Sequence, residues 1–144
     1  MTMKIQYFLL ALIGSLLPYI LNASIIENIH FTHIGLVDGL SHSTIFAINQ
    51  DKGGNLWFAT YDGVNKYDGY NFTVYRHQYM NPNSIASDIS RCIAVDDSDR
   101  IWVGTREGLS LYNRYKDAFS NYYYKKRGMN VAVTSIAPIK EDWL

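Results

Sequence analysis

The stretch that decides the fold is Asp51 to Thr60, with the sequence DKGGNLWFAT. A related stretch, DDSDRIWVGT, occupies residues 96–105, 45 positions further along the chain. Each begins with an aspartate, passes through turn-forming residues and ends in an apolar segment that contains a tryptophan. The matching continues on both sides, in Ile48 and Ile93, Gly63 and Gly108, Tyr67 and Tyr112, and, after a two-residue insertion, Phe72 and Phe119. The chain therefore contains an internal repeat of about 45 residues.

A period in this range, made of short strands, is typical of β-propeller blades, in which each unit is a four-stranded antiparallel sheet. The dipeptides Asp62-Gly63 and Asp68-Gly69 predict two-residue hairpin turns, because both positions tolerate positive φ angles. The strands predicted from these turns are 43–51, 56–60, 64–67 and 72–77 in the first unit, and 88–96, 101–105, 109–113 and 118–124 in the second.

A third unit begins with residues 139–142, which repeat the pattern of residues 93–96. The sequence thus predicts an all-β fold, a partial β-propeller with two four-stranded blades and the start of a third. The predicted units are 43–87, 88–133 and a truncated 134–144. Because a propeller ring needs about four to eight blades, the isolated chain is expected to expose apolar blade faces and to self-associate.

The N-terminus has the pattern of an export signal. Lys4 precedes an apolar run from Ile5 to Leu21, and the small residues Ala23 and Ser24 follow it. Residues 1–23 are therefore predicted to be a signal-peptide helix, which leaves 24–144 as the propeller domain. The alternative is an uncleaved anchor, since the apolar run is about long enough to span a bilayer.

Composition excludes some classes of function. The 144 residues carry a formal net charge of zero, which argues against the basic surface that nucleic-acid recognition requires. Cys92 is the only cysteine, so an intramolecular disulfide is impossible, and its strand-like surroundings indicate a buried, inert thiol. No catalytic, cofactor-binding or metal-ligand motif is present, and the four histidines lack metal-ligand spacing.

The repeated residues are interpreted as structural. Trp57 and Trp102 recur at one place in each unit, which favours packing between blades over a role as sugar-stacking platforms. Asp51 and Asp96 lack the alternating oxygen ligands of a calcium loop, so we expect them to cap turns.

Candidate ligand-binding residues follow from strand order. In an up-and-down blade, loops that follow the second strand and loops that enter the first strand lie at the same end. The loops after the second strands contain Tyr61-Asp62 and Arg106-Glu107, and residues 42–43 and 87–88 enter the first strands. Tyr61 is a candidate to stack on a sugar ring, and Arg106 is a candidate to bind an acidic sugar. The alternative is an ordinary solvated loop.

Several motifs resemble the two-component regulator propeller repeat family. They are GLS at 39–41, QDxxGNLWFAT at 50–60, GVNKYDG at 63–69, IWVGT at 101–105 and GL at 108–109. The nearest likeness is to the N-terminal part of the hybrid two-component sensors of Bacteroidetes, over about residues 28–144. The resemblance implies periplasmic propellers, a further β-sandwich domain, an inner-membrane anchor and a cytoplasmic histidine kinase. It also implies glycan fragments as ligands. Kinase residues cannot be assigned to this chain, which departs from the family pattern by ending within a repeat.

The expected function is a periplasmic ligand-sensing propeller segment that is itself not an enzyme. Its expected partners are an oligosaccharide, the remaining blades and downstream sensor domains, with a homodimer as the full-length form. The alternatives are a fragment of a secreted propeller enzyme, such as a lyase or hydrolase, and a non-catalytic interaction scaffold, since fold alone does not determine function.

Overall fold

The computed structural model describes residues 31–138, and its regular structure is almost entirely β. Two four-stranded antiparallel sheets follow each other along the chain, each with its strands in sequence order. Blade 1 contains β1 to β4, which are Ile45–Gln50, Leu56–Thr60, Val64–Tyr67 and Phe72–Tyr75. Blade 2 contains β5 to β8, which are Ser90–Val95, Ile101–Thr105, Leu109–Asn113 and Ala118–Tyr122. This architecture confirms the predicted all-β blades.

The two blades share a register that reproduces the repeat. Gln50 pairs with Leu56 in blade 1, as Val95 pairs with Ile101 in blade 2. Both first strands contain a register shift near their start, between Ile45 and Ala47 in β1 and between Ser90 and Cys92 in β5. The 45-residue spacing therefore extends from the sequence to the irregularities of the sheets.

The second and third strands of both blades match the prediction, and the first and fourth strands are shorter than predicted. The segment predicted as 72–77 ends as a strand at Tyr75, because the His77 amide instead donates to Asp88 Oδ1 in the connector to the next blade. The segment predicted as 118–124 ends at Tyr122. A short hairpin that was not predicted follows, with β9 at Lys125–Lys126 and β10 at Met129–Asn130.

Glycine is required at the turn between the second and third strands of each blade. Gly63 has φ of 90°, and a Cβ there would lie 2.3 Å from the carbonyl oxygen of Tyr75. The equivalent Gly108 approaches Tyr122, where a Cβ would lie 2.6 Å from the carbonyl oxygen. The fourth strand passes so close to this turn that a side chain cannot be accommodated without moving the backbone.

The hydrophobic core lies between the two blades. Blade 1 contributes Trp57, Ala59 and Val64, and the connector contributes Ile85, all fully buried. Blade 2 contributes Ile93, Ile101, Val103, Tyr112 and Phe119. Because a single sheet cannot cover its own apolar face, each blade depends on its neighbour for burial.

Some sequence predictions fall outside the described residues. The signal peptide at 1–23 lies there, and so does the part of the third unit that carries residues 139–142. Within residues 31–138, the one regular helix is a short 3-10 helix, Leu36–Asp38, and no helix is long and apolar enough to cross a membrane.

Candidate functional site

An aspartate–tryptophan hydrogen bond is the repeated polar feature of both blades. The Trp57 indole donates from Nε1 to Asp51 Oδ2 at 3.0 Å, and Trp102 donates to Asp96 Oδ2 at the same distance. The other carboxylate oxygen of Asp51 accepts the backbone amide of Asn55, which caps the turn between β1 and β2. The predicted turn-capping role is confirmed, and the carboxylates also fix the indoles.

Both carboxylates stay ionised although the Asp51 side chain is fully buried and the Asp96 side chain is mostly buried. Burial alone would raise the pKa of Asp51, but hydrogen bonds from Trp57, Asn55 and Arg114 outweigh it and lower the pKa to about 2. The pKa of Asp96 falls to about 2 for the same reason, with Trp102 and Arg100 as donors.

The two aspartates obtain their counter-charges from different places. Asp51 in blade 1 is paired with Arg114 of blade 2 at 3.0 Å, and the same guanidinium bonds Asp99 Oδ2 at 2.8 Å. Asp96 in blade 2 is paired with Arg100 of its own turn. The ion pair of Asp51 therefore joins the blades, whereas the ion pair of Asp96 is internal to blade 2.

The predicted packing role of the tryptophans is confirmed for Trp57. Its ring is stacked on Tyr75 with centroids 6.0 Å apart and contacts Tyr112 at 4.8 Å. Trp102 has the equivalent hydrogen bond but is only half-buried, with Arg100 over its ring at 5.6 Å. The difference arises because blade 2 covers Trp57, and within residues 31–138 no further blade covers Trp102.

The mouth is defined here as the end of the blades where β1 and β5 begin and β2 and β6 end. Tyr61 lies there as predicted and is 51% exposed. Its ring contacts His42 at a centroid distance of 5.6 Å and Phe46 at 6.3 Å. Tyr61 is therefore part of an accessible aromatic cluster.

The side chains of the other predicted ligand-binding residues differ in whether hydrogen bonds within the protein already hold them. Asp62 accepts two hydrogen bonds from the Arg76 guanidinium, at 2.8 and 3.0 Å, which lowers the pKa of its carboxyl. The exposed Glu107 carboxylate has one long hydrogen bond among the described residues, from Asn130 at 3.5 Å. Arg106 is exposed, and within residues 31–138 its guanidinium has no hydrogen-bond partner.

Two residues at the mouth were missed by sequence reasoning. Phe46 and Arg91 are the residues that the register shifts of β1 and β5 leave unpaired, and the Arg91 guanidinium lies 5.7 Å from the Phe46 ring centroid. Both are exposed. Their 45-residue separation marks Phe46 and Arg91 as equivalent positions of the repeat. The bulges that leave them unpaired cannot be predicted from the alternation of side chains along a strand.

The described residues contain no arrangement typical of metal or thiol chemistry. No group of three or more His, Cys, Asp or Glu side chains in residues 31–138 is placed to hold a metal ion. Burial raises the pKa of the Cys92 thiol, which lies 3.7 Å from the Val133 carbonyl oxygen. A raised pKa disfavours the nucleophilic thiolate.

Two consecutive four-stranded sheets that bury a shared core, with an open mouth at one end, define this part of the chain as blades of a β-propeller. The family model for the two component regulator propeller matches residues 39–62 and 84–107. These two segments therefore match the two-component regulator propeller repeat, in agreement with the resemblance found in the motifs. The matches begin at Gly39 and Ser84 and preserve the 45-residue spacing.

Two similar proteins support this assignment. Histidine kinase P4 of Formosa agariphila is 43% identical over 60 residues, which are 42% of this chain and 4% of that protein. The crystal structure of the extracellular domain of a hybrid two component system from B. thetaiotaomicron superposes with a TM-score of 0.59 and 37% sequence identity. That superposition covers 65% of this chain and 13% of the other. The chain thus spans a small part of the relatives it matches.

Proposed function

We propose that this chain is the ligand-sensing propeller segment of a periplasmic two-component sensor, and that it binds glycan fragments at the mouth without transforming them. The observation that carries the proposal is the aromatic cluster of the exposed Phe46 and Tyr61 with the partly buried His42, in a two-component regulator propeller. Exposed aromatic rings match the apolar faces of sugar rings, and the fold does not require them there.

The relatives support the sensing role and the compartment. One is a histidine kinase, and the other is the extracellular domain of a hybrid two component system. On this proposal the complete protein carries an inner-membrane anchor, downstream sensor domains and a kinase, and it acts as a homodimer. Ligand binding must then favour one of two conformations, because a ligand with equal affinity for both would transmit nothing.

The binding test uses the protein with Tyr61→Ala as the variant and Tyr70→Ala as its matched control. Tyr70 is 88% exposed and lies in the turn between β3 and β4, at the opposite end of the blade. Calorimetric titration with a panel of oligosaccharides should show binding that Tyr61→Ala weakens about tenfold, which corresponds to about 1.4 kcal/mol, and that Tyr70→Ala preserves. Equal loss in both variants, or no binding to any oligosaccharide, would contradict the proposal.

Catalysis and compartment are tested separately. Oligosaccharides that bind should be recovered chemically unchanged after prolonged incubation, as judged by mass spectrometry. Cleavage that survives purification to homogeneity would instead support the propeller-enzyme alternative. A phosphatase fused after residue 138 tests the compartment, because it should be active only if the chain is exported. The proposal predicts an active fusion.

A further inference from the structure

The two repeats differ at the mouth in a consistent way. Phe46 of blade 1 is replaced by Arg91 in blade 2, and Tyr61 is replaced by Arg106. The tryptophan of the second strand and the glycine of the following turn are retained, since a tryptophan occupies 57 and 102 and a glycine occupies 63 and 108. The mouth therefore has an aromatic half on blade 1 and a cationic half on blade 2.

The register shifts determine where two of these side chains lie. Phe46 and Arg91 each occupy the unpaired position of a β-bulge in the first strand of their blade. A bulge breaks the alternation of side chains and redirects one of them, and bulges are frequent beside binding sites. Phe46 remains 41% exposed instead of packing into the core between the blades.

The aromatic and cationic halves are in contact. The Arg91 guanidinium carbon lies 5.7 Å from the Phe46 ring centroid, and the Phe46 ring is 6.3 Å from that of Tyr61. The arrangement continues from Tyr61 to His42 at 5.6 Å. A sugar ring that lies on Phe46 and Tyr61 therefore has a planar cation at its edge.

Two arginines at the mouth, where Asp62, Asp88 and Glu107 also lie, differ from the other arginines of the blades because they form no ion pair within residues 31–138. Arg76, Arg100 and Arg114 each form an ion pair with an aspartate. Among the residues that the structure describes, the guanidiniums of Arg91 and Arg106 have no carboxylate partner, and both residues are exposed. Guanidinium groups bind oxyanions through paired hydrogen bonds, so two such groups favour an anionic ligand group.

We propose that this mouth selects acidic oligosaccharides, with a sugar ring on Phe46 and Tyr61 and a carboxylate or sulfate group on Arg91 and Arg106. The inference rests on the proposed function, since it names the class of glycan that the same mouth binds. Carboxylate and sulfate groups share the oxyanion chemistry that arginine recognises, and the experiment separates them.

The experiment compares three sets of oligosaccharides of equal length, namely neutral, uronic-acid-containing and sulfated, by calorimetric titration of the protein. We expect at least one acidic set to bind tenfold or more tightly than the neutral set. Arg91→Gln and Arg106→Gln should each weaken acidic binding about tenfold and leave neutral binding within twofold. Arg91→Lys should recover part of the affinity, because lysine retains the charge without the planar fork.

Two controls separate recognition from general effects of charge. Lys116→Gln removes the same charge from the exposed turn between β7 and β8, at the opposite end of blade 2, and should leave acidic binding unchanged. Phe46→Ala should weaken acidic and neutral binding equally. The affinity of the acidic set should fall as salt is raised, whereas that of the neutral set should not.

The outcomes distinguish this inference from the proposed function. If neutral and acidic sets bind equally, or if Lys116→Gln has the same effect as Arg91→Gln, the selection of acidic sugars is overturned and glycan binding stands. If inorganic sulfate or a non-sugar carboxylate binds as tightly as the acidic oligosaccharides, the role of the sugar ring is overturned. If no oligosaccharide binds, the proposed function itself fails.

Discussion

Replacing Asp51 with asparagine tests how the two blades are held together. The carboxylate is fully buried and accepts hydrogen bonds from Trp57 of its own blade and from Arg114 of the next. Its pKa falls from an ordinary 3.8 to about 2. Since each unit corresponds to 1.36 kcal/mol, ionisation of Asp51 contributes about 2 kcal/mol to the free energy of unfolding at pH 7.

The pH dependence follows from the sign of this shift. Because folding lowers the pKa, the contribution is complete above pH 4 and is lost as the pH falls through about 2. Asp51→Asn should therefore destabilise the protein by about 2 kcal/mol or more at pH 7, and by less than about 1 kcal/mol at pH 2. Urea unfolding followed by tryptophan fluorescence at both pH values measures the difference.

Asp97→Asn is the matched control for this prediction. Asp97 is exposed in the equivalent turn of blade 2, and its side chain makes no hydrogen bond or ion pair within residues 31–138. It should change the free energy of unfolding by less than about 0.5 kcal/mol at either pH. An equal effect of Asp51→Asn at pH 7 and pH 2 would refute the reasoning, since the loss would then not depend on the carboxylate charge.

Three further predictions concern the packing of the blades. Trp57→Ala should lower the free energy of unfolding by about 3 to 5 kcal/mol, and Trp102→Ala should lower it clearly less, because only Trp57 is fully buried. Equal urea midpoints for the two variants would contradict this. Gly63→Ala should destabilise by more than Gly69→Ala in the same assay, because both have positive φ but only the first meets a carbonyl oxygen, that of Tyr75. Tyr75→Phe should cost about 1 to 2 kcal/mol in thermal unfolding, since it removes a hydrogen bond of 2.6 Å to Asp117; an unchanged Tm would show that this bond is dispensable.

Local sequence was sufficient for the second and third strands of each blade. The strands predicted at 56–60, 64–67, 101–105 and 109–113 have those bounds in the structure. Turns occur at Asp62-Gly63 and Asp68-Gly69, but the predicted two-residue form is wrong: three residues separate β2 from β3, four separate β3 from β4, and in each dipeptide only the glycine has a positive φ. Because hairpins form between neighbouring segments, short-range chemistry specifies them.

The candidate site was only partly predictable, because strand order places a residue at the mouth but does not reveal which distant residues its side chain contacts. Tyr61 and Arg106 were placed at the mouth by strand order, and their exposure agrees with that placement. Asp62 was grouped with them, but its carboxylate is held by Arg76, fourteen residues away. Its role in ligand binding stays a prediction.

The sequence by itself determined the repeat, the blade architecture and the equivalence of Trp57 and Trp102, because these depend on spacing and on the preferences of adjacent residues. Tertiary structure alone decided that Arg114 neutralises Asp51 across the blades and that two bulges bring Phe46 and Arg91 together. Each of these contacts joins residues at least 45 positions apart in the sequence. Such contacts depend on how one sheet packs against the next, which strand alternation and turn chemistry do not specify.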